Sequence, residues 1–183
     1  MKAKKWLIGW GCCCLALLFL ISSLVVYVDP YFHVHSPKTD QFFYGLYNQR
    51  SQNDGILRHF DYDAVITGTS MTENFRTSEL DALFGVSSVK TSFSGGSYYE
   101  INRSLEAALR RNPNIRLIVR GLDLAMFFDD AHRLRNDLGD YPDYLSDHDP
   151  LNDVQYPFAT EIVIASATTL PTARRGLHTG LGA

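Results

Sequence analysis

Ser70 is the first residue whose type and setting suggest chemistry. It follows a short apolar run, Ala64-Val65-Ile66-Thr67, and the turn-forming pair Gly68-Thr69. A serine so placed can expose its hydroxyl at a sheet edge, beside backbone donors of the next helix, as a nucleophile requires. Gly95 and Gly96, within Ser94-Gly95-Gly96-Ser97, could let the backbone approach a substrate and offer amides at a helix start. Gly121-Leu122-Asp123 is a third polar turn after an apolar run. Asp129-Asp130-Ala131-His132 has the D-x-x-H spacing of a carboxylate and an imidazole that could form a dyad. Each has a plainer reading. Ser70 could simply cap a helix, the glycines could make an ordinary tight turn, and Asp129 and His132 could belong to a solvated acidic loop.

Other titratable groups point less firmly to a site. Asp123 to Asp153 holds nine acids against Arg133 and Arg135. His148 lies in that stretch between Asp147 and Asp149. It reads as surface loop, whose acids could attract Ca²⁺ weakly. His33 and His35 flank Val34, so an extended chain would put them on one side, but no third metal ligand is near. His59, beside Phe60, reads as a packed residue. No metal site and no cofactor is expected. There is no G-x-x-x-x-G-K or G-x-G-x-x-G phosphate loop, and Thr72 breaks the G-x-S-x-G pattern.

These groups need elements to hold them. Ala64–Thr67 predicts a buried strand. The stretch after Ser70 carries Leu80, Leu83 and Phe84 at helical spacing, and Gly85 suits a C-terminal stop. A second strand is expected within 86–93. Ser97 with Glu100 fits a capping box. Tyr98, Ile101, Leu105, Ala108 and Leu109 then line one helix face, ended by Asn112-Pro113-Asn114. Ile115 to Gly121 predicts a third strand. Strand, helix, strand, helix, strand favours a parallel sheet, whose ligands collect at the strands' carboxyl ends. All three polar turns would share that edge. Glu161–Ala165 reads as a further strand candidate.

The N-terminus predicts a membrane anchor. Trp6 to Val28 runs 23 residues without a charge, about 34 Å as a helix against a hydrocarbon core of about 30 Å. Lys2, Lys4 and Lys5 precede it, which places the N-terminus in the cytoplasm and the rest outside. The run ends without an A-x-A-like cleavage site. Cys12, Cys13 and Cys14 all lie inside it, so the remainder can form no disulfide. The net charge of −3, from 17 basic and 20 acidic residues, argues against a general nucleic-acid binder. The expected organisation is a tip and anchor over 1–28, a partly ordered membrane-proximal lead-in over 29–60, an α/β domain over 61–165 and a poorly ordered tail over 166–183.

Ile66-Thr67-Gly68-Thr69-Ser70-Met71, Phe93-Ser94-Gly95-Gly96-Ser97 and Gly121-Leu122-Asp123 resemble the first three blocks of the SGNH (GDSL-like) hydrolase superfamily. The envelope-anchored members include DltD-type D-alanine transfer proteins and AlgX/AlgJ-type polysaccharide O-acetyltransferases. Asp29-Pro30, just past the anchor, is similar too. The resemblance implies a three-layer, parallel-sheet, flavodoxin-like domain, incomplete here and preceded by one transmembrane helix. It implies Ser70 as nucleophile, with the amides of Ser70 and of Gly95 or Gly96 as oxyanion donors. Asp123 stands where the superfamily usually has asparagine, and Thr69 where it has aspartate. Its Asp-His block comes after further strands, whereas Asp129 and His132 follow the third strand at once. The implied function is hydrolysis or transfer of acyl esters on an envelope polysaccharide or teichoic-acid-like polymer, with a multi-span membrane acyltransferase as partner and little activity in this chain. The rival expectation is a non-catalytic scaffold or binding module in an envelope assembly.

Overall fold

A computed structural model describes residues 2–39, 41–42, 44–46, 48–124, 130, 132–138, 141–147, 149 and 151–173. Helix α1 (Lys2–Val28) contains the uncharged run and is long and apolar enough to cross a membrane. Its apolar side chains face outward for most of its length, among them Leu15, Leu17 and Phe19. Asp29, at φ +46°, ends it and turns the chain sharply. The Asp29 carboxylate is fully buried and accepts the amides of His33 (3.0 Å), Val34 (2.8 Å) and His35 (2.8 Å), and the Tyr156 hydroxyl (2.6 Å). A buried carboxylate so satisfied fixes the junction between α1 and the domain.

The domain is mixed α/β. Strands β1 (Ala64–Thr69), β2 (Ser88–Phe93) and β3 (Leu117–Arg120) form a three-stranded parallel sheet in the order β2-β1-β3. Central β1 is buried along its whole length, as an apolar run flanked by Asp63 and a glycine predicts. After β1 comes a 3-10 helix (Ser70–Asn74), then α3 (Thr77–Phe84), which Gly85 ends in the left-handed conformation. Helix α4 (Tyr98–Arg111) begins with the expected capping box. Its buried face is rotated from the expected one: Glu100, Ile101, Ser104, Ala107 and Ala108 are inside, while Leu109 is exposed. The fully buried Glu100 carboxylate meets Arg50 Nη2 at 2.5 Å, so an ion pair lies on the inner face of the helix.

The lead-in contains a regular element that the sequence did not announce. It supplies helix α2 (Gln49–His59), capped by Asn48, whose side chain accepts the Ser51 amide. Ser51 to Leu57 are all buried. Hydrophobic periodicity missed α2 because its buried residues are mostly polar and hydrogen-bonded. Gln52 Nε2 donates to the carbonyls of Pro30 and Gly45, and Asn53 Nδ2 to that of Ser92. Gly55 passes so close to the 31–32 backbone that a Cβ would sit 2.1 Å from the Tyr31 carbonyl oxygen. Val28, Phe32, Phe42 and Tyr44 share one core with Ile56, Val65 and Val89, so the domain sits directly on the end of α1.

After β3 come a short helix α5 (Asp143–Ser146), a 3-10 helix (Asn152–Phe158) and helix α6 (Thr160–Ala173). The strand expected at Glu161–Ala165 is therefore helical, and the expected tail is ordered through Ala173. The β-branched run Ile162-Val163-Ile164 favours a strand locally, but Ile162 packs with Val25, Tyr31, Leu145 and Tyr156 in a second apolar cluster. That tertiary contact overrides a weak local preference.

Candidate functional site

Ser70 is the first residue beyond the central strand and is exposed. The register pairs Gly68 with Ser92 and Thr69 with Phe93, so Ser70 and Ser94 leave adjacent parallel strands level with one another. The Ser94-Gly95-Gly96 turn therefore lies on the same carboxyl edge as Ser70. Gly95 adopts φ +64°, and a Cβ there would lie 2.8 Å from Leu138 Cδ1, so glycine suits this position. The Gly96 amide donates to the Phe93 carbonyl at 3.0 Å and is engaged in the turn itself. Of the two expected oxyanion donors at the turn, only the Gly95 amide has no hydrogen-bond partner among the described residues.

The end of β3 joins the same edge. Gly121 donates its amide to the Thr67 carbonyl at 2.9 Å. Thr69 Oγ1 donates to Asp123 Oδ2, and the Tyr98 hydroxyl donates to the Asp123 carbonyl at 2.9 Å. Asp123 thus brings an acceptor to Thr69, the residue before Ser70, where an asparagine would bring a donor. Its carboxylate ties the last residue of β1 to the turn after β3.

Residues that the sequence did not single out build the rest of the edge. Gln49 Oε1 accepts the Ser94 amide at 2.6 Å, and its Nε2 donates to Glu73 Oε1 at 2.8 Å. Glu73 lies in the 3-10 turn that Ser70 begins. Fully buried Glu100 accepts the Ser97 amide (3.0 Å), Arg50 Nη2 (2.5 Å) and the Arg135 amide (3.0 Å). Arg135 Nη1 then donates to the Gly95 carbonyl at 2.8 Å. Its guanidinium also clamps Asp137 and pulls that carboxyl down to about 2. A hollow of about 550 Å³ opens beside these groups, lined by Leu46, Asn48, Gln49, Arg50, Glu73, Ser94 and Leu138. The capping box signalled Glu100, but Arg50 and Gln49 come from α2, which no apolar pattern announces.

Of the expected dyad, only His132 is among the described residues, and its described contacts lie elsewhere. The His132 ring packs edge-on against Tyr99, with centroids 5.6 Å apart. It lines a different cavity, of about 710 Å³, with Asn102, Arg103 and Tyr141. Among the described residues, no side chain hydrogen-bonds the Ser70 hydroxyl. Asp129 and His148 lie outside the described residues. His33 Nε2 meets Asp153 Oδ1 at 2.9 Å, whereas His35 meets the carbonyls of Ser36 and Val26, so the two histidines do not converge. His59 is half-buried, with Nε2 3.5 Å from the His33 carbonyl. No group of three or more metal-ligating side chains occurs among the described residues.

Comparison of the chain with protein-family models, curated proteins and solved structures finds no match. The class that the geometry itself defines is a mixed α/β protein with a three-stranded parallel sheet and one apolar N-terminal helix long enough to span a membrane.

Proposed function

We propose that this chain is a membrane-anchored, SGNH-like protein of the bacterial cell envelope. Helix α1 would span the bilayer with its lysine-bearing end in the cytoplasm, and the domain would face outward. The site would be of the acyl-ester type found in hydrolases and transferases that act on surface polysaccharides or teichoic-acid-like polymers. The observation that carries this reading is exposed Ser70 directly after the central parallel strand, level with the Gly95 turn and beside the Thr69–Asp123 pair.

In such a site the Ser70 oxygen bonds to an acyl carbonyl carbon while its proton passes to water, and a tetrahedral oxyanion forms. Collapse breaks the bond between the acyl carbon and the leaving oxygen, which takes up that proton and departs as the alcohol, and the acyl group stays on Ser70. The Ser70 and Gly95 amides would face the oxyanion. The His132 ring lies against Tyr99 rather than in contact with the Ser70 hydroxyl, so on this reading acylation and deacylation would both be slow and turnover low. A fluorescent phosphonate tests the site on the full chain in vesicles. Labelling lost in Ser70→Ala supports the proposal.

The second reading, a non-catalytic scaffold or binding module, is favoured by one observation: no described imidazole contacts Ser70. Complete absence of phosphonate labelling would establish that reading instead.

A further inference from the structure

Helix α6 buries Ile162, Ser166 and Thr169, at 0%, 0% and 8% exposure, on one face at helical spacing. Its substantial described contacts are with α1 and with the preceding 3-10 helix. Ile162 shares a cluster with Val25, near the end of α1, and with Tyr156 of that 3-10 helix. The 3-10 helix stops at Phe158 and α1 stops at Val28. A helix that starts beside Val25 and keeps its face covered for two further turns has only α1 to lie against. It therefore runs back along α1, toward the lysine-bearing end.

The chemistry of α6 fits that course. Its first turn is polar, and Asn48 Nδ2 donates to Glu161 there at 3.2 Å. From Ile162 to Ala173 there is no charged residue. The opposite face carries Ile164, which is 58% exposed, with Ala167 also outward. The hydroxyls along it turn inward to their own backbone. Ser166 donates to the Ile162 carbonyl (2.8 Å), Thr168 to that of Ala165 (2.9 Å) and Thr169 to that of Ala165 (2.8 Å). Hydroxyls satisfied in this way need no water, which suits a helix in hydrocarbon. Half-buried Ser22 of α1 and buried Ser166 of α6 are small residues of the kind that let membrane helices approach closely.

We propose that α6 is a second membrane-embedded helix. With α1 it forms a hairpin whose outward face, centred on Ile164, contacts acyl chains in the half of the bilayer next to the folded domain. Its 14 residues reach about 21 Å, against a hydrocarbon core of about 30 Å. The proposal rests on α1 spanning the bilayer and is independent of any chemistry at Ser70.

The test places a polarity-sensitive nitrobenzoxadiazole probe on single cysteines in the full chain, with Cys12, Cys13 and Cys14 replaced by alanine. The chain is reconstituted in phosphatidylcholine vesicles. Probes at Ile164→Cys and Leu17→Cys should emit at shorter wavelength than a probe at Glu79→Cys, on the exposed face of α3 away from α1. Both should lose emission to doxyl-labelled lipid and resist aqueous iodide, whereas the Glu79→Cys probe should lose emission to iodide. Iodide quenching at Ile164→Cys, with Leu17→Cys still shielded, would overturn the hairpin and leave the anchor standing. Iodide quenching at both would overturn the anchor and the hairpin together. Ala167→Cys reports from the same face and decides the matter if the Ile164 variant fails to fold.

Discussion

At Asp29 a single carboxylate joins anchor to domain. Three amides and the Tyr156 hydroxyl satisfy it with no water contact. Burial and the Asp29 charge both push the Tyr156 phenol strongly up, so Tyr156 remains a neutral donor. Burial likewise raises Tyr31 and Tyr141 to about 12. A phenol whose folded pKa exceeds its unfolded value of 10.0 contributes stability that is fully present below pH 10. That contribution is lost as pH rises from there through the folded values. The domain should therefore lose stability between pH 10 and pH 12, measured by denaturant midpoint against pH. Tyr156→Phe should cost about 1.5–3 kcal/mol at neutral pH, the range for a hydrogen bond to a charged group, and should flatten the alkaline loss. None of this was readable in advance. The sequence shows Asp29-Pro30 as a helix stop, while the partner that buries the carboxylate lies 127 residues away.

At the scale of elements, legibility followed apolar pattern and local capping. β1 was readable because Asp63 and Gly68 bound an uninterrupted apolar run. The start of α4 was readable because Ser97 and Glu100 close a box within four residues. Helix α2 was not, since Gln52, Asn53 and Asp54 form its inner face and their partners are distant carbonyls and arginines. The site divides in the same way. Ser70 and the Gly95 turn follow strands and could be placed from order alone. Arg50 and Gln49 could not, because they arrive on α2. Glu100 is the element-level keystone, since it joins α2, α4 and the Arg135 segment. Removing one partner of a buried ion pair strands the other, at a cost of about 3–5 kcal/mol. Glu100→Ala should lower stability by that amount in chemical denaturation. It should also loosen the Ser94–Ser97 turn, seen as faster amide exchange there, while exchange in β3 changes less.

At the scale of the whole molecule, the core continues from the end of α1 through the lead-in to the sheet. Val28 and Val65 belong to the same cluster, so anchor and domain share packing rather than a flexible linker. The proposed orientation follows from Lys2, Lys4 and Lys5 on one side of the apolar run. A cysteine at Ser36, in a chain lacking the native cysteines, should react with an impermeant maleimide on intact cells. Reaction only after lysis would reverse the orientation. The D-x-x-H spacing of Asp129 and His132 is local, and only the fold shows the His132 ring turned to Tyr99 at the side of α4.

In the proposed site Ser70 accepts an acyl group, and none of the described side chains supplies a base at its hydroxyl to release it rapidly. A positioned base contributes about 10²–10⁴-fold to acylation and deacylation alike, but p-nitrophenolate leaves without a proton whereas acyl-Ser70 is an unactivated alkyl ester, so deacylation lags and the acyl-enzyme should accumulate. The most direct measurement is pre-steady-state release of p-nitrophenolate from p-nitrophenyl acetate by the full chain in vesicles. The account predicts a slow burst approaching one equivalent per chain, followed by turnover near background. The burst should vanish in Ser70→Ala and persist in His132→Ala. No burst in the unaltered chain, or sustained turnover lost in both Ser70→Ala and His132→Ala, would contradict it.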